Sequence, residues 1–137
     1  MASQAQPGYN ALTWRFFERP LNVGELHGLG VGSGAAGSPS QGTWVRFHIQ
    51  ILRGSITAAR FNAFGCPHVI AVASWLTESA VGSTAGHPGH PGLPEPVSAL
   101  QQRFEVPAEK RGRLLLVEDA WIAAIQAAVT KSGPGLE

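Results

Sequence analysis

The chain has 137 residues and a formal net charge of +1 at pH 7, which is the length of one domain and excludes the strongly basic surface of a nucleic-acid-binding protein. Its 17 glycines and 10 prolines are about one-fifth of the residues, against roughly 12% in average proteins, and favour a loop-rich domain over a helical bundle. A single cysteine excludes an internal disulfide. No apolar run reaches the ~20 residues of a membrane span, and residues 1–8 lack the pattern of a signal peptide. We therefore expect a cytoplasmic protein with no nucleic-acid or membrane partner.

The first third of the chain predicts one short helix and a long irregular segment. Residues 1–8 are expected to be frayed. A helix is predicted over Ala11–Arg19, with Asn10 as its N-cap and Pro20 as its stop. The segment Leu21–Gly42 holds seven glycines, and we expect it to be ordered but irregular, with at most a short strand.

The middle of the chain predicts a β-hairpin. Apolar and polar residues alternate with a period of two, which indicates a strand with one wet face. The apolar positions are Val45, Phe47, Ile49 and Ile51. His48 lies on the wet face, so solvent exposure is its expected role. Arg53–Ser55 supplies a turn and Ile56–Phe64 a second, antiparallel strand. Because a hairpin alone is only marginally stable, a third strand or a covering helix is needed.

The second half of the chain predicts helices around a loop. Apolar residues recur at helical spacing after Pro67, which suits the first position of a helix. Residues 82–96 form a Gly/Pro/His-rich loop, and a short helix is predicted over Val97–Arg103. A longer amphipathic helix is predicted over Leu114–Val129, followed by a frayed end at 131–137. A small antiparallel sheet packed on amphipathic helices belongs to the α+β class, and residues 1–137 make a single domain.

Two short patterns match the sequence motifs of a dinucleotide site and a metal site, but the flanking residues do not fit either site. The segment Gly32–Gly37 matches G-x-G-x-x-G, but Pro39 follows it and no βαβ unit fits, so a dinucleotide site is not predicted. His87 and His90 lie in a repeat that is typical of a polar linker rather than a metal site, because no third ligand is adjacent. We also find no paired carboxylates and no Ser–His arrangement at usable spacing, and we therefore predict that the protein is not an enzyme.

Cys66 is the most informative residue of the sequence. It stands directly before the helix that begins at Pro67, near free backbone N–H groups and the positive end of the helix dipole. That placement stabilises the thiolate, which is the form that attacks sulfur or binds metal. His68 would add a ligand or a proton acceptor. The alternative is a small buried apolar cysteine, which is the commonest state of a free cysteine, and placement alone leaves both open.

Several segments, in order and with matching gaps, resemble the U-type iron–sulfur cluster assembly scaffold family, that is IscU and the N-terminal domain of NifU. The resemblance extends from about Tyr9 to Ala128. The segments that carry it are Asn22–Gly24, Val31–Pro39, Ala59–Cys66, Ile70-Ala71 with Leu76–Glu78, and Glu118–Ala120. The fold that this resemblance implies is a three-stranded antiparallel sheet with helices packed on one side, in agreement with the α+β prediction.

The resemblance also implies a function and a set of site residues. Members of the family build a nascent cluster from iron and from the sulfur of a cysteine desulfurase, and pass it on, often with a specialised chaperone. The family site has three cysteines, an aspartate and a histidine. Cys66 matches one of these cysteines. The other positions hold different residues, namely Gln41, Thr43, Gly112 and Arg113. In the chaperone-recognition segment only Pro107 and Lys110 match.

These replacements decide the expected chemistry. A [2Fe–2S] cluster needs four ligands, and one cysteine per chain cannot supply them. In addition, the cation of Arg113 repels a metal and would attract an anion or pair with the Cys66 thiolate. A homodimer that shares two Cys66 thiolates and two His68 rings would complete four ligands. We expect a divergent scaffold that handles sulfur or iron at Cys66, with a cluster or iron bound transiently at most, or with no metal. The alternative is an interaction or regulatory module that keeps the docking surface for the desulfurase.

Overall fold

The computed structural model describes residues 9–83 and 93–132. Four helices and three strands form an α+β fold, as predicted. In chain order they are α1 Ala11–Glu18, β1 Val31–Ser38, β2 Thr43–Leu52, β3 Ser55–Phe64, α2 Pro67–Ala80, α3 Val97–Arg103 and α4 Arg111–Ser132. Single 3-10 turns lie at Pro39–Gln41 and Ala108–Lys110. The predicted frayed residues 1–8, most of the 82–96 loop with His87 and His90, and residues 133–137 lie outside this description.

The helix ends follow local capping chemistry. The Oδ1 atom of Asn10 accepts a hydrogen bond of 2.8 Å from the backbone N–H of Thr13, which confirms Asn10 as the N-cap of α1. The last helix starts earlier and ends later than the apolar pattern predicts, because its first turn is polar and contributes little to that pattern. Lys131 and Ser132 belong to α4, so the helix continues two residues into the segment 131–137 that we expect to be frayed.

The sheet has the order β1-β2-β3, and both pairs of strands are antiparallel. The hairpin of β2 and β3 is confirmed. The prediction that residues 21–42 hold at most a short strand is wrong, since β1 is eight residues long and pairs with β2 along its whole length. Its sequence, VGSGAAGS, has no large apolar residues, so the alternation that identifies a half-buried strand is missing.

The inner face of the sheet carries the core, and α4 lies directly on β1. A Cβ atom on Gly32 would lie 2.1 Å from the backbone nitrogen of Ala128, and one on Gly34 would lie 2.4 Å from that of Ala124. These two glycines therefore let the helix backbone touch the strand, which no larger residue would permit. The G-x-G-x-x-G pattern is thus part of a strand and a helix-packing surface.

The outer face of the sheet is partly covered by the chain that leads into β1. Val23 forms a parallel bridge with Phe61 on β3, and the following residues cross to the opposite edge, where β1 begins. His48 is consequently only 4% exposed, and its predicted solvent exposure is wrong. Its Nδ1 lies 2.8 Å from the Oγ of Ser33, and its Nε2 lies 2.9 Å from the Oδ1 of Asn62. No described helix is long and apolar enough to cross a membrane.

Candidate functional site

Three segments meet at one end of the sheet. The connection between β1 and β2 passes Gly42, whose carbonyl oxygen would lie 3.7 Å from a Cβ atom placed on Gly65. Gly65 precedes Cys66 at the junction of β3 and α2. The start of α4 contributes Arg113, whose side chain influences the thiol of Cys66. The β1–β2 connection, the β3–α2 junction and the start of α4 therefore lie near one another at this end of the sheet.

Cys66 caps the N-terminus of α2. Its backbone is extended, with φ −76° and ψ 167°, and its carbonyl accepts hydrogen bonds from Val69 and Ile70 at 3.1 and 3.2 Å. Pro67 occupies the first helical position, as predicted. Cys66 is half-buried and packs against the hydrophobic core, so it lies between a fully exposed thiol and the fully buried cysteine of the alternative interpretation.

The environment of Cys66 lowers the pKa of its thiol from the usual 9.0 to about 6. The largest single influence is burial, which opposes the change because it penalises the charged form. The side chain of His68, the backbone N–H of Val69 and the guanidinium of Arg113 together outweigh it. At pH 7 the thiolate form is therefore favoured, and the site holds a nucleophile.

The imidazole ring of His68 lies buried near the thiol of Cys66. It is 1% exposed, and neither ring nitrogen has a partner at standard hydrogen-bond geometry among the described residues. The ring lowers the pKa of the Cys66 thiol through a looser side-chain hydrogen-bond interaction. The ring of Tyr9 packs against it, with 4.7 Å between the ring centroids. The Nζ of Lys110 lies 5.1 Å from the centroid of the Tyr9 ring. Tyr9 thus links the cysteine loop to the segment before α4.

Tyr9 is the contact that sequence reasoning missed. The helix pattern begins with Asn10, and a tyrosine one position earlier falls outside every periodicity in the sequence. The available signal is that Tyr9 is the only tyrosine of the chain and directly precedes an N-cap. A hydrophobic residue at that position often packs against a neighbour. Here the neighbour belongs to α2 instead of α1.

The positions that replace the family ligands offer few metal donors. Gln41 is exposed in the 3-10 turn and Thr43 is 5% exposed at the start of β2. Gly112 is exposed on the first turn of α4, and Arg113 beside it is half-buried. Among residues 9–83 and 93–132, no group of three or more His, Cys, Asp or Glu side chains is placed to hold a metal ion. The arrangement supplies one thiolate and one cation.

Comparison with known proteins identifies the family. The family model described as "NifU-like N terminal domain" matches residues 8–132. The chain is 32% identical over 137 residues to "Iron sulfur cluster assembly protein 1, mitochondrial" of Debaryomyces hansenii, with 92% of this chain and 72% of the relative covered. It is 33% identical over 116 residues to "Iron-sulfur cluster assembly scaffold protein IscU" of Escherichia coli K12, with 80% and 84% covered.

A solved structure shows the same fold. The N-terminal part of a NifU-like protein from Brucella abortus matches with a TM-score of 0.67 at 19% identity, covering 87% of this chain and 92% of that one. The family match covers nearly the whole chain in the order that the sequence resemblance implies. The chain belongs to the NifU-like N-terminal domain family, which includes the IscU scaffolds.

Proposed function

We propose that this protein takes part in iron–sulfur cluster assembly as a scaffold-like protein that accepts sulfur at Cys66. Its family and the names of its relatives support the process. The observation that carries the specific role is the place of Cys66 at the N-terminus of α2 beside the cation of Arg113, which together lower the pKa of the thiol. A thiolate at the edge of the fold, held by a permanent positive charge, is suited to receive sulfur rather than to bind a cation.

The sulfur transfer is a thiolate displacement. The Cys66 thiolate attacks the terminal sulfur of a persulfide on a donor protein, the sulfur–sulfur bond of the donor breaks, and the donor cysteine leaves as a thiolate. The new persulfide remains on Cys66, and the exchange needs no external oxidant. The product also carries negative charge, so Arg113 stabilises it in the same way as the starting thiolate. A persulfide is a reversible modification, which suits a carrier of sulfur.

The site of one chain offers too few ligands to hold iron. The cluster needs four donors, whereas the chain offers Cys66 with Gln41, Thr43 and Arg113 at the matching positions. We propose that a cluster or iron is held transiently at most. The homodimer expected from the sequence would need two Cys66 thiolates and two His68 rings at a shared surface. His68 is 1% exposed and covered by Tyr9, so the geometry does not support this route to four ligands.

The donor in this proposal is a cysteine desulfurase, because that enzyme class generates protein persulfides from cysteine. We further propose that Pro107 and Lys110 belong to a docking segment for a specialised chaperone. Pro107 precedes the 3-10 turn that ends at Lys110, and Lys110 contacts Tyr9 beside the site. We expect the exchange to take place in the cytoplasm, in keeping with a chain that has one unpaired cysteine.

Mass spectrometry tests the proposal directly. The purified protein is incubated with a cysteine desulfurase and cysteine, and the expected product carries one added sulfur atom on Cys66. The matched control is Cys66→Ser, which keeps the size of the side chain and removes the nucleophile. The absence of an adduct on the wild type, or the same adduct on Cys66→Ser, would contradict sulfur acceptance.

One observation favours a second function, that of a docking or regulatory module for the desulfurase. Phe64 is 54% exposed although it lies two residues from Cys66, and only 14% of the chain is charged. An exposed aromatic side chain on a weakly charged surface is typical of a partner contact. For this function, the protein captures the desulfurase equally well with Cys66→Ala, and no sulfur is transferred to the wild type.

A further inference from the structure

A second pocket lies on the outer face of the sheet, on the side opposite the helices. It has a volume of about 260 Å³ and opens to solvent. The segment from Glu25 to Gly28 forms one wall, β1 and β2 form the floor, and Lys131 near the end of α4 closes one side. The proposed sulfur chemistry does not use any of these residues.

Two cations of this pocket have no partner among the described residues. Arg46 and Lys131 both line it, and neither makes a hydrogen bond or ion pair with another described residue. The one carboxylate in the lining is Glu25, whose Oε1 lies 3.2 Å from the Nε2 of His27. Both of these side chains are exposed, and the histidine is charged only when protonated, so the lining carries two cations against one carboxylate.

The floor of the pocket is rigid and polar. Ser33 lies there, and its hydroxyl is 2.8 Å from the Nδ1 of buried His48, whose Nε2 is in turn held by Asn62 at 2.9 Å. Because Nε2 faces the acceptor oxygen of Asn62, the neutral ring carries its proton on Nε2, and the hydroxyl of Ser33 therefore donates to Nδ1. The groups of the pocket that can recognise the oxygens of a carboxylate or a phosphate are the guanidinium of Arg46 and the ammonium of Lys131.

We infer that this pocket binds a small oxyanion, carboxylate or phosphate, between Arg46 and Lys131. The planar fork of Arg46 matches two oxygens of such a group, and Lys131 adds a second charge from another element. A volume of about 260 Å³ equals roughly nine water molecules at ~30 Å³ each, so the ligand is a small molecule. The inference is independent of the sulfur chemistry at Cys66.

Titration with two named probes tests this inference. Inorganic phosphate and citrate are added separately at constant ionic strength, and the backbone amide signals of Ser33 and Arg46 are followed by NMR. Saturable shifts are expected with at least one probe, and the probe that binds distinguishes phosphate from carboxylate. Arg46→Gln and Lys131→Gln are each expected to weaken binding by about tenfold, because each removes a charge-assisted contact.

The matched control is Arg60→Gln. Arg60 is exposed on the same face of the sheet but lines a different pocket, so its loss changes the net charge equally and leaves the oxyanion site intact. Affinity within twofold of wild type is expected for it and for Cys66→Ser. Non-saturable shifts with both probes would overturn the inference. An equal loss of affinity in Arg60→Gln and Arg46→Gln would also overturn it, because the attraction would then be general.

Discussion

The side chain of Arg113 sets the charge beside Cys66. A guanidinium carries its charge at all physiological pH values and cannot donate an electron pair to a metal. The sequence resemblance implies a cysteine of the family at this position, and in our proposal the exchange replaces a metal ligand with a group that stabilises an anion. The buried ring of His68 acts in the same direction on the pKa of the thiol. We therefore expect the two residues together to favour a thiolate or persulfide over bound iron.

Alkylation kinetics test the role of Arg113. The rate of reaction of Cys66 with iodoacetamide is expected to rise with pH around a midpoint near 6 in the wild type, because only the thiolate reacts. Arg113→Gln removes a positive charge and is expected to move the midpoint upward, toward 9. Arg111→Gln is the matched control, since the Nη1 of Arg111 bonds to Gln101 at 2.9 Å. Identical midpoints in both variants would exclude the ion pair.

Restoring the ligands that the resemblance implies tests the proposal that this chain lacks the donors to hold iron. The triple variant Gln41→Cys, Thr43→Asp, Arg113→Cys adds two thiolates and a carboxylate around Cys66 and removes the cation. After anaerobic reconstitution with iron and sulfide, the variant is expected to retain iron through desalting and to show visible absorption, whereas the wild type loses most of its iron. The same triple change on a Cys66→Ala background is expected to retain less. Equal iron in wild type and triple variant would show that the ligand count is not limiting.

Sequence reasoning identified the cysteine but not all of its neighbours. The position of Cys66 before a helix follows from Pro67, because a local signal fixes a local structure. The influence of Arg113 was inferred only through the family resemblance, since the two residues are 47 positions apart and no periodicity relates them. Tyr9 and the burial of His68 depend on how separate elements pack. Such contacts are tertiary, and local patterns do not report them.

At the scale of elements, the contact between α4 and β1 organises the fold. Gly32 and Gly34 lie on the inner face of the strand, and Ala128 and Ala124 of the helix lie opposite them. Small residues on both sides bring the two backbones together, which leaves no room for the large side chains that would have revealed the strand. The hairpin of β2 and β3 was predictable because its apolar residues alternate. The strand β1 was not predictable in this way, because its close packing on α4 requires small residues that give no apolar alternation.

A single added methyl group tests this contact. Gly34→Ala places a Cβ atom 2.4 Å from the backbone nitrogen of Ala124, so the helix must move away from the strand. The expected loss is about 2 kcal/mol of unfolding free energy, as for other overpacked cores, measured by urea denaturation. Gly112→Ala is the control, since nothing lies within 4 Å of its Cβ position. It should be neutral or slightly stabilising, and equal destabilisation of both variants would argue against close packing.

At the scale of the whole molecule, hydrogen bonds between residues far apart in the sequence connect α1 to the end of α3. The hydroxyl of Thr13 on α1 donates a buried hydrogen bond of 2.8 Å to the carbonyl of Phe104, at the end of α3. The side chain of Asn10 adds a bond of 3.1 Å to the carbonyl of Arg103. These contacts hold the start of α1 in place, next to Tyr9 and the cysteine loop. The ionisation of the nearby Cys66 thiol is coupled to the stability of the fold, because its pKa is lower in the folded protein than in an unfolded chain.

The coupling between thiol and fold predicts a specific dependence of stability on pH. The pKa of Cys66 is about 6 in the folded protein and about 8.5 in an unfolded chain. Between these values the unfolded state binds more protons, so the contribution of Cys66 to stability rises with pH. It is absent below about pH 6 and complete above about pH 9.

Chemical denaturation of wild type and Cys66→Ser, under reducing conditions at pH 6, 7.5 and 9, measures that contribution. Serine does not titrate in this range, and other groups ionise alike in both proteins, so their effects cancel in the difference. The stability advantage of the wild type is expected to grow at each step of pH. A difference that stays constant or shrinks as pH rises would show that the folded protein does not favour the thiolate, and would remove the basis for a sulfur-accepting site.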